Sequence, residues 1–496
     1  MMRPQIPLSF ALLLAFANGC SSPADDPAAV SANFRLEDCT LRGASGLTAV
    51  AAHCGTLSVP ENPAEPDGRH IELFIARVRA LSLDPPGDAL TVIAGGPGQA
   101  SSEFFADYAG AFEAIRRERD ILLVDQRGTG RSNALDCPAQ QELESEDITP
   151  AVMRAATREC LAGLTGDPRF YTTSVAVEDL NRVRAALGYS SLNLYGVSYG
   201  TRVVQHYLRR FPERTRSVIL DGVVPMDTAL GPEISLDAQA ALESIFRRCA
   251  ADDACAAHFP DLATAFATMR ERLDTSAVQV ELPDPVTALP RRTDFSAQDL
   301  AVAVRLLSYT SESVSFLPLL LHHAFHRQDF TPLAAQVLMV SEQLEESLSY
   351  GMHNAVVCTE DVPFYDPGAI DRDALEGTYL GASQLDALLE ICALWPAGLI
   401  DEGFKSPVAS DRPVLLLSGT ADPVTPPANA RHVAQHLENA LAIEAEGQGH
   451  GIAALGCVPR LMAKFVARAS VEALDTDCVE SLRPAPFFIS FTGPAP

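Results

Sequence analysis

Basic side chains are scarce in this sequence. Its 496 residues carry 37 Lys and Arg against 64 Asp and Glu, a formal net charge of −27. Nucleic acid is bound through a surplus of cations, so this balance excludes it as an expected partner. The acidity suits a solvated, soluble surface instead. Long apolar runs are also missing. Ile6 to Phe16 is too short to span a bilayer, and no other stretch qualifies, so no membrane-spanning segment is expected in the mature chain. Internal repeats are absent, which excludes a solenoid.

What the N-terminus does have is export chemistry. Arg3 supplies a positive start, Ile6 to Phe16 a short apolar stretch, and Ala17-Asn18-Gly19-Cys20 a small-residue exit. With Ser21-Ser22 after it, that exit resembles a bacterial lipoprotein box, although Ala17 stands where such boxes usually have leucine. Residues 1–20 are therefore expected to be a lipoprotein-like signal peptide, with Cys20 as the lipidation site and point of membrane attachment. Ordinary secretion with Cys20 removed is the alternative. Either way the 11 cysteines fall to an even number, suited to disulfides in an oxidising compartment. Sequential pairing gives Cys39–Cys54, Cys137–Cys160, Cys249–Cys255, Cys358–Cys392 and Cys457–Cys478. Residues 21–35, rich in Pro, Ala, Ser and Asp, read as a flexible tether.

The ordered part is organised around Leu192 to Thr201. A short apolar run enters Gly196-Val197-Ser198-Tyr199-Gly200, and a helical pattern follows to about Phe211. Strand, sharp turn and helix are the setting of a nucleophile elbow, with Ser198 strained and exposed. Side chains at Gly196 and Gly200 would collide with the neighbouring strand and helix. Further strands are expected at 55–60, 71–79, 90–94, 121–124, 217–222, 414–418 and 441–444, and a helix at Val175–Leu187. Strand and helix alternate, which predicts a mostly parallel sheet with helices on both faces.

The strand at 90–94 ends in Gly95-Gly96-Pro97-Gly98, a turn whose N–H groups can point into a cavity. Gly96 and Tyr199 are the expected backbone donors to an oxyanion, each worth about 2.7–4 kcal/mol in comparable sites. The strand at 121–124 leads into Asp125-Gln126-Arg127-Gly128-Thr129-Gly130-Arg131-Ser132. This loop lacks the features of a P-loop or a dinucleotide site, and Asp125, Arg127 and Arg131 are expected to form a structural ion-pair network. Asp422 follows the strand at 414–418, at the end of the sheet where Ser198 sits; Asp411 precedes that strand, at the wrong end. His450 lies between Gly449 and Gly451 and is free to reach Ser198. Ser198 as nucleophile, His450 as base and Asp422 as orienting acid follow the chain order of such sites. No metal or cofactor is required. His432 and His436 read as surface residues. His322, His323 and His326 have a helical spacing that mimics a metal site, but the sequence specifies no carboxylate partner, so none is expected.

Between about 226 and 412 the pattern turns helical, at Ile234–Cys249, Phe259–Leu273, Ala297–Leu307 and Pro332–Leu348. This predicts a lid at 226–412 inserted between core segments 36–225 and 413–496.

Together, Gly95-Gly96-Pro97-Gly98, Asp125-Gln126-Arg127-Gly128, Gly196-Val197-Ser198-Tyr199-Gly200, Asp422-Pro423-Val424-Thr425-Pro426 and Gly449-His450-Gly451 resemble the proline-iminopeptidase-like serine peptidases. The similarity is nearest the secreted bacterial tripeptidyl-aminopeptidase branch and covers most of residues 36 to 480. Ala94 departs from the family, which often has histidine there. The resemblance implies an α/β-hydrolase fold with a lid and release of residues from peptide N-termini. An aminopeptidase must also neutralise a substrate ammonium; Glu360 and Asp361 are the candidates the resemblance suggests, with Glu103 a further one. A carboxylesterase or other acyl hydrolase is the rival on the same fold. Epoxide hydrolases and dehalogenases would place Asp at the elbow, and a non-catalytic binding protein would show a degraded triad.

Overall fold

The computed structural model describes residues 35–44, 46–141, 143, 149–284 and 287–495. The signal peptide, Cys20 and the tether lie outside them. The central sheet has nine strands: β1 (Glu37–Arg42), β2 (Ala49–Pro60), β3 (His70–Val78), β4 (Asp88–Ile93), β5 (Asp120–Val124), β6 (Ser191–Val197), β7 (Thr215–Asp221) and, after the β8 (Val278–Pro283) and β9 (Pro290–Phe295) hairpin, β10 (Val414–Gly419) and β11 (Ala440–Ala445). Their order is β1-β2-β3-β5-β4-β6-β7-β10-β11. β1, β2, β3 and β5 pair antiparallel; from β5 through β4 to β11 the pairs are parallel.

Central strands such as β6 and β10 are apolar because both faces are covered. Alternate residues go to opposite sides. Leu192, Leu194, Val414 and Leu416 pack toward the helices Thr173–Ala186 and Tyr199–Arg210. Tyr195, Val197, Leu415 and Leu417 pack toward the helices Ser101–Arg116 and Val458–Arg468. The parallel core with two helical faces is the predicted one.

β1 has no counterpart in the sequence reading. Its Glu-Asp-Cys-Thr-Leu-Arg string is largely exposed at a sheet edge, where no apolar alternation is needed. The β8–β9 hairpin was also unsignalled, since β9 is a polar Pro-Arg-Arg-Thr-Asp-Phe strand. All five sequential disulfides are present. Among the described residues no helix is long and apolar enough to cross a membrane.

The helical insertion divides by packing. Residues from Ala238 to Val337, with Tyr379, share a core of their own. Met352, Ala355, Val356, Cys358, Ile391, Trp395, Phe404 and Val408 instead join the core on one face of the sheet. The C-terminal tail returns to the lid. Phe487 is buried in the lid core beneath Arg248, and Phe488 packs on Phe316, with β12 (Phe488–Ser490) and β13 (Gly493–Pro494) forming a small hairpin there.

Candidate active site

Ser198 sits between β6 and the helix Tyr199–Arg210 with φ 55° and ψ −127°. A non-glycine residue holds this conformation only where the surroundings over-determine it. Ser198 N–H donates to the Asp221 carbonyl at 2.9 Å, and Thr201 N–H and Oγ1 donate to the Ser198 carbonyl. A methyl group on Gly196 would strike the Gly200 carbonyl, and one on Gly200 would strike that of Ile93. The elbow is therefore as tight as the sequence implied, and it is held by β4 and β7, the two strands that flank β6.

His450 follows β11, and its Nδ1 is 2.8 Å from Asp422 Oδ2. Asp422 also accepts from Val424 N, Thr425 N and Thr425 Oγ1 at 2.7–2.9 Å. Burial alone would raise the Asp422 carboxyl, but His450 and these donors hold it below the usual range. Burial alone would lower His450, but Asp422 overrides it and leaves the imidazole above its ordinary value. A methyl group on Gly222, one residue past the Asp221 carbonyl that Ser198 holds, would stand 3.0 Å from His450 Cε1. That places the serine and histidine loops side by side. Ser198 Oγ makes no described hydrogen bond to His450, and such contacts often tighten only with substrate.

The N–H groups of Gly96 and Tyr199 donate to no described acceptor. Gly95, beside Gly96, is packed on Ser198; a methyl group there would lie 2.9 Å from Ser198 Cβ. The geometry leaves both expected donors unpaired next to the nucleophile. His353 backs this loop, with Nδ1 3.3 Å from the Pro97 carbonyl, and Ser349 N–H holds the Gly98 carbonyl.

Several expected residues are placed differently. Asp361 is buried; its Oδ1 accepts from Arg202 at 2.8 Å, Leu230 N–H at 2.9 Å and Lys405 at 3.1 Å, and its Oδ2 from Arg202 at 2.9 Å. It is a strut between the elbow helix and the segment around Lys405, with its charge already matched by two cations of the chain. Glu360 is fully buried, and its oxygens accept from Thr173 N–H and Oγ1. Thr173 Oγ1 in turn meets the Tyr199 hydroxyl, and Glu360 Oε2 lies 3.8 Å from Arg202 on the elbow helix, so Glu360 reaches the elbow through Thr173 and Arg202. Burial, eased by Arg202, leaves its pKa at about 7.

Asp125, Arg127 and Arg131 do not form the expected mutual ion pairs. Arg127 is bidentate on Asp179. Asp125 accepts from Ser102 N–H and Oγ, at the start of the helix Ser101–Arg116. Arg131 lies over the Phe74 ring. His432 pairs with Asp227 and is partly exposed, as a surface residue would be.

Other residues reach the site from places the sequence could not connect. Asp221, at the end of β7, accepts from Ile452 N–H, Ala453 N–H and the Tyr195 hydroxyl. It fixes the turn that follows His450. Tyr309, in the lid, accepts from His450 N–H at 2.7 Å, and its ring meets the imidazole edge-on at 5.5 Å. Asp237, also in the lid, is raised to about 6 by burial and by the charges of Glu233 and Asp422. Its side chain makes no described bond. Glu103 is half-buried near Asp125 and likewise raised, first by burial. Nothing in local sequence distinguishes Asp237 from other lid carboxylates; only the fold brings it near Asp422.

Residues 88–455 match the family described as alpha/beta hydrolase fold. The serine protease Hip1 of Mycobacterium tuberculosis is 27% identical over 464 residues, covering 84% of this chain and 85% of that protein. Carboxylesterase B of the same organism is 29% identical over 422 residues, covering 78% of each. The tripeptidyl aminopeptidase of Streptomyces lividans is 30% identical over 209 residues, covering 38% of this chain and 39% of that protein.

Proposed function

The chain belongs to the alpha/beta hydrolase fold family, and on that premise we propose that it is a serine hydrolase cleaving N-terminal residues or short peptides from peptide substrates. The observation that carries this reading is the His450–Asp422 pair, held beside the strained Ser198, with the lid carboxylate of Asp237 close enough to feel the Asp422 charge. Ser198 Oγ attacks the scissile carbonyl while His450 takes its proton. Asp422 fixes the tautomer that leaves Nε2 free and stabilises the imidazolium. Gly96 and Tyr199 N–H groups receive the oxyanion. The tetrahedral intermediate collapses as His450 protonates the leaving amine, and water then releases the acyl group by the same route in reverse.

In this reading Asp237 receives the substrate ammonium, with Glu103 a secondary candidate, and Asp361 has no part in it. The printed names of Hip1 and tripeptidyl aminopeptidase support peptide chemistry. That of Carboxylesterase B supports ester hydrolysis as the alternative. Five disulfides support an exported enzyme of the cell envelope, anchored through lipidated Cys20 or released.

The test compares a free-amine tripeptide anilide, its N-acetylated twin and a short-chain nitrophenyl ester, with Ser198→Ala as control. Cleavage of the free-amine peptide alone is the expected result. Ester cleavage with both peptides intact would assign an esterase. Full activity in Ser198→Ala would sink the mechanism.

A further inference from the structure

The helix Ser311–Arg327 carries His322 and His326 one turn apart, and their ring centroids are 4.4 Å from each other. The fold supplies what the sequence could not specify. Asp261, at the start of the helix Leu262–Thr275, brings its carboxylate to the same place, with His326 Nε2 at 3.0 Å from Oδ2 and 3.2 Å from Oδ1. One ligand atom from each of Asp261, His322 and His326 lies within 4.8 Å of the other two. Small rotamer changes would close that triangle around an ion with bonds near 2.1 Å.

A plain surface ion pair would account for His326 and Asp261 but not for His322. The His322 Nδ1 is buried without a hydrogen-bond partner, and its ring is backed by Phe259 at 5.1 Å. His323, by contrast, turns toward Asp329.

We propose that Asp261, His322 and His326 form a divalent transition-metal site on the lid, suited to zinc, with solvent completing the coordination. Two imidazoles and one carboxylate are a borderline donor set that favours zinc over calcium or magnesium. The ion joins the helix Ser311–Arg327 to the start of the helix Leu262–Thr275 and stiffens the lid. This site is independent of the chemistry at Ser198.

Calorimetric titration of the chelator-treated, untagged protein with zinc chloride tests it. One zinc per chain is expected, with a rise in Tm. His326→Gln and Asp261→Asn should each weaken binding at least tenfold, and His323→Ala should leave it unchanged. His326 is 40% exposed on its side chain, so its replacement should not unfold the lid, and the circular dichroism of each variant checks this. No saturable zinc binding, or binding unaltered in both His326→Gln and Asp261→Asn, would overturn the proposal.

Discussion

Ser198, His450 and Asp422 depend on different local devices. Ser198 is held by a backbone that only close packing permits, while His450 is held by charge. Because Asp422 raises its pKa, the free enzyme needs a pH above the ordinary imidazole value to keep the base neutral. kcat/KM should therefore fall as pH drops through this raised pKa. Asp422→Asn should move that acid limb to lower pH while cutting kcat by about 10^4-fold, as the wrong tautomer does elsewhere; a pH–rate profile reads both. Asp237 predicts a different signature. Asp237→Asn should raise KM for free-amine peptides at least tenfold and leave ester or N-acetyl substrates unchanged. Steady-state kinetics on the paired substrates checks this, and an equal effect on all of them would remove Asp237 from amine recognition. Ser198, Asp422 and His450 could be picked out because each carries a local signature: a glycine-flanked serine after an apolar run, an acid just past a strand, a histidine between glycines. Asp237, Asp221 and Tyr309 carry none, because their meaning comes from contacts across many residues of chain.

At the scale of elements, the helix after the elbow does more than follow Ser198. Arg202 anchors it to Asp361, and Lys405 adds a second cation to the same carboxylate. Removing the acid would take from the buried Arg202 its bidentate partner, leaving it Glu360 at 3.8 Å, and from Lys405 its ion pair. Asp361→Ala should thus cost about 3–5 kcal/mol, measured by denaturant unfolding, and any loss of activity should track the loss of folded protein. The same elements show why one expectation failed. Cys358-Thr359-Glu360-Asp361 presents two adjacent acids in the sequence, and nothing there reveals that Arg202, far away in the chain, has claimed one of them. Strands β4, β5, β6, β7 and β10 were readable because burial on both faces gives each an apolar run. β1 and β9 were not, because edge and hairpin positions tolerate polar side chains. The lid meets the core at Gly449, where a methyl group would strike the Tyr309 carbonyl. Gly449→Ala should therefore lower kcat at least tenfold with little change in Tm, since it displaces the His450 loop without opening the core.

For the molecule as a whole, the lid is two hydrophobic units: Ala238 to Val337 share a core of their own, while Met352 to Val408 belong to the core on one face of the sheet. Phe487, from the tail, is buried in the first of these. Phe487→Ala should destabilise the lid by about 3–5 kcal/mol and expose it to limited proteolysis before the sheet domain is cut. The tail also bears on how substrate enters. The lid is continuous with the core through the chain after β7 and again before β10. It touches the His450 loop through Tyr309 and is gripped by the returning tail at Phe487 and Phe488. A body fixed at two points can still turn about the line between them; fixed at a third point off that line, it has no axis left. On the peptidase reading proposed above, a lid held in this way would admit substrate without swinging open.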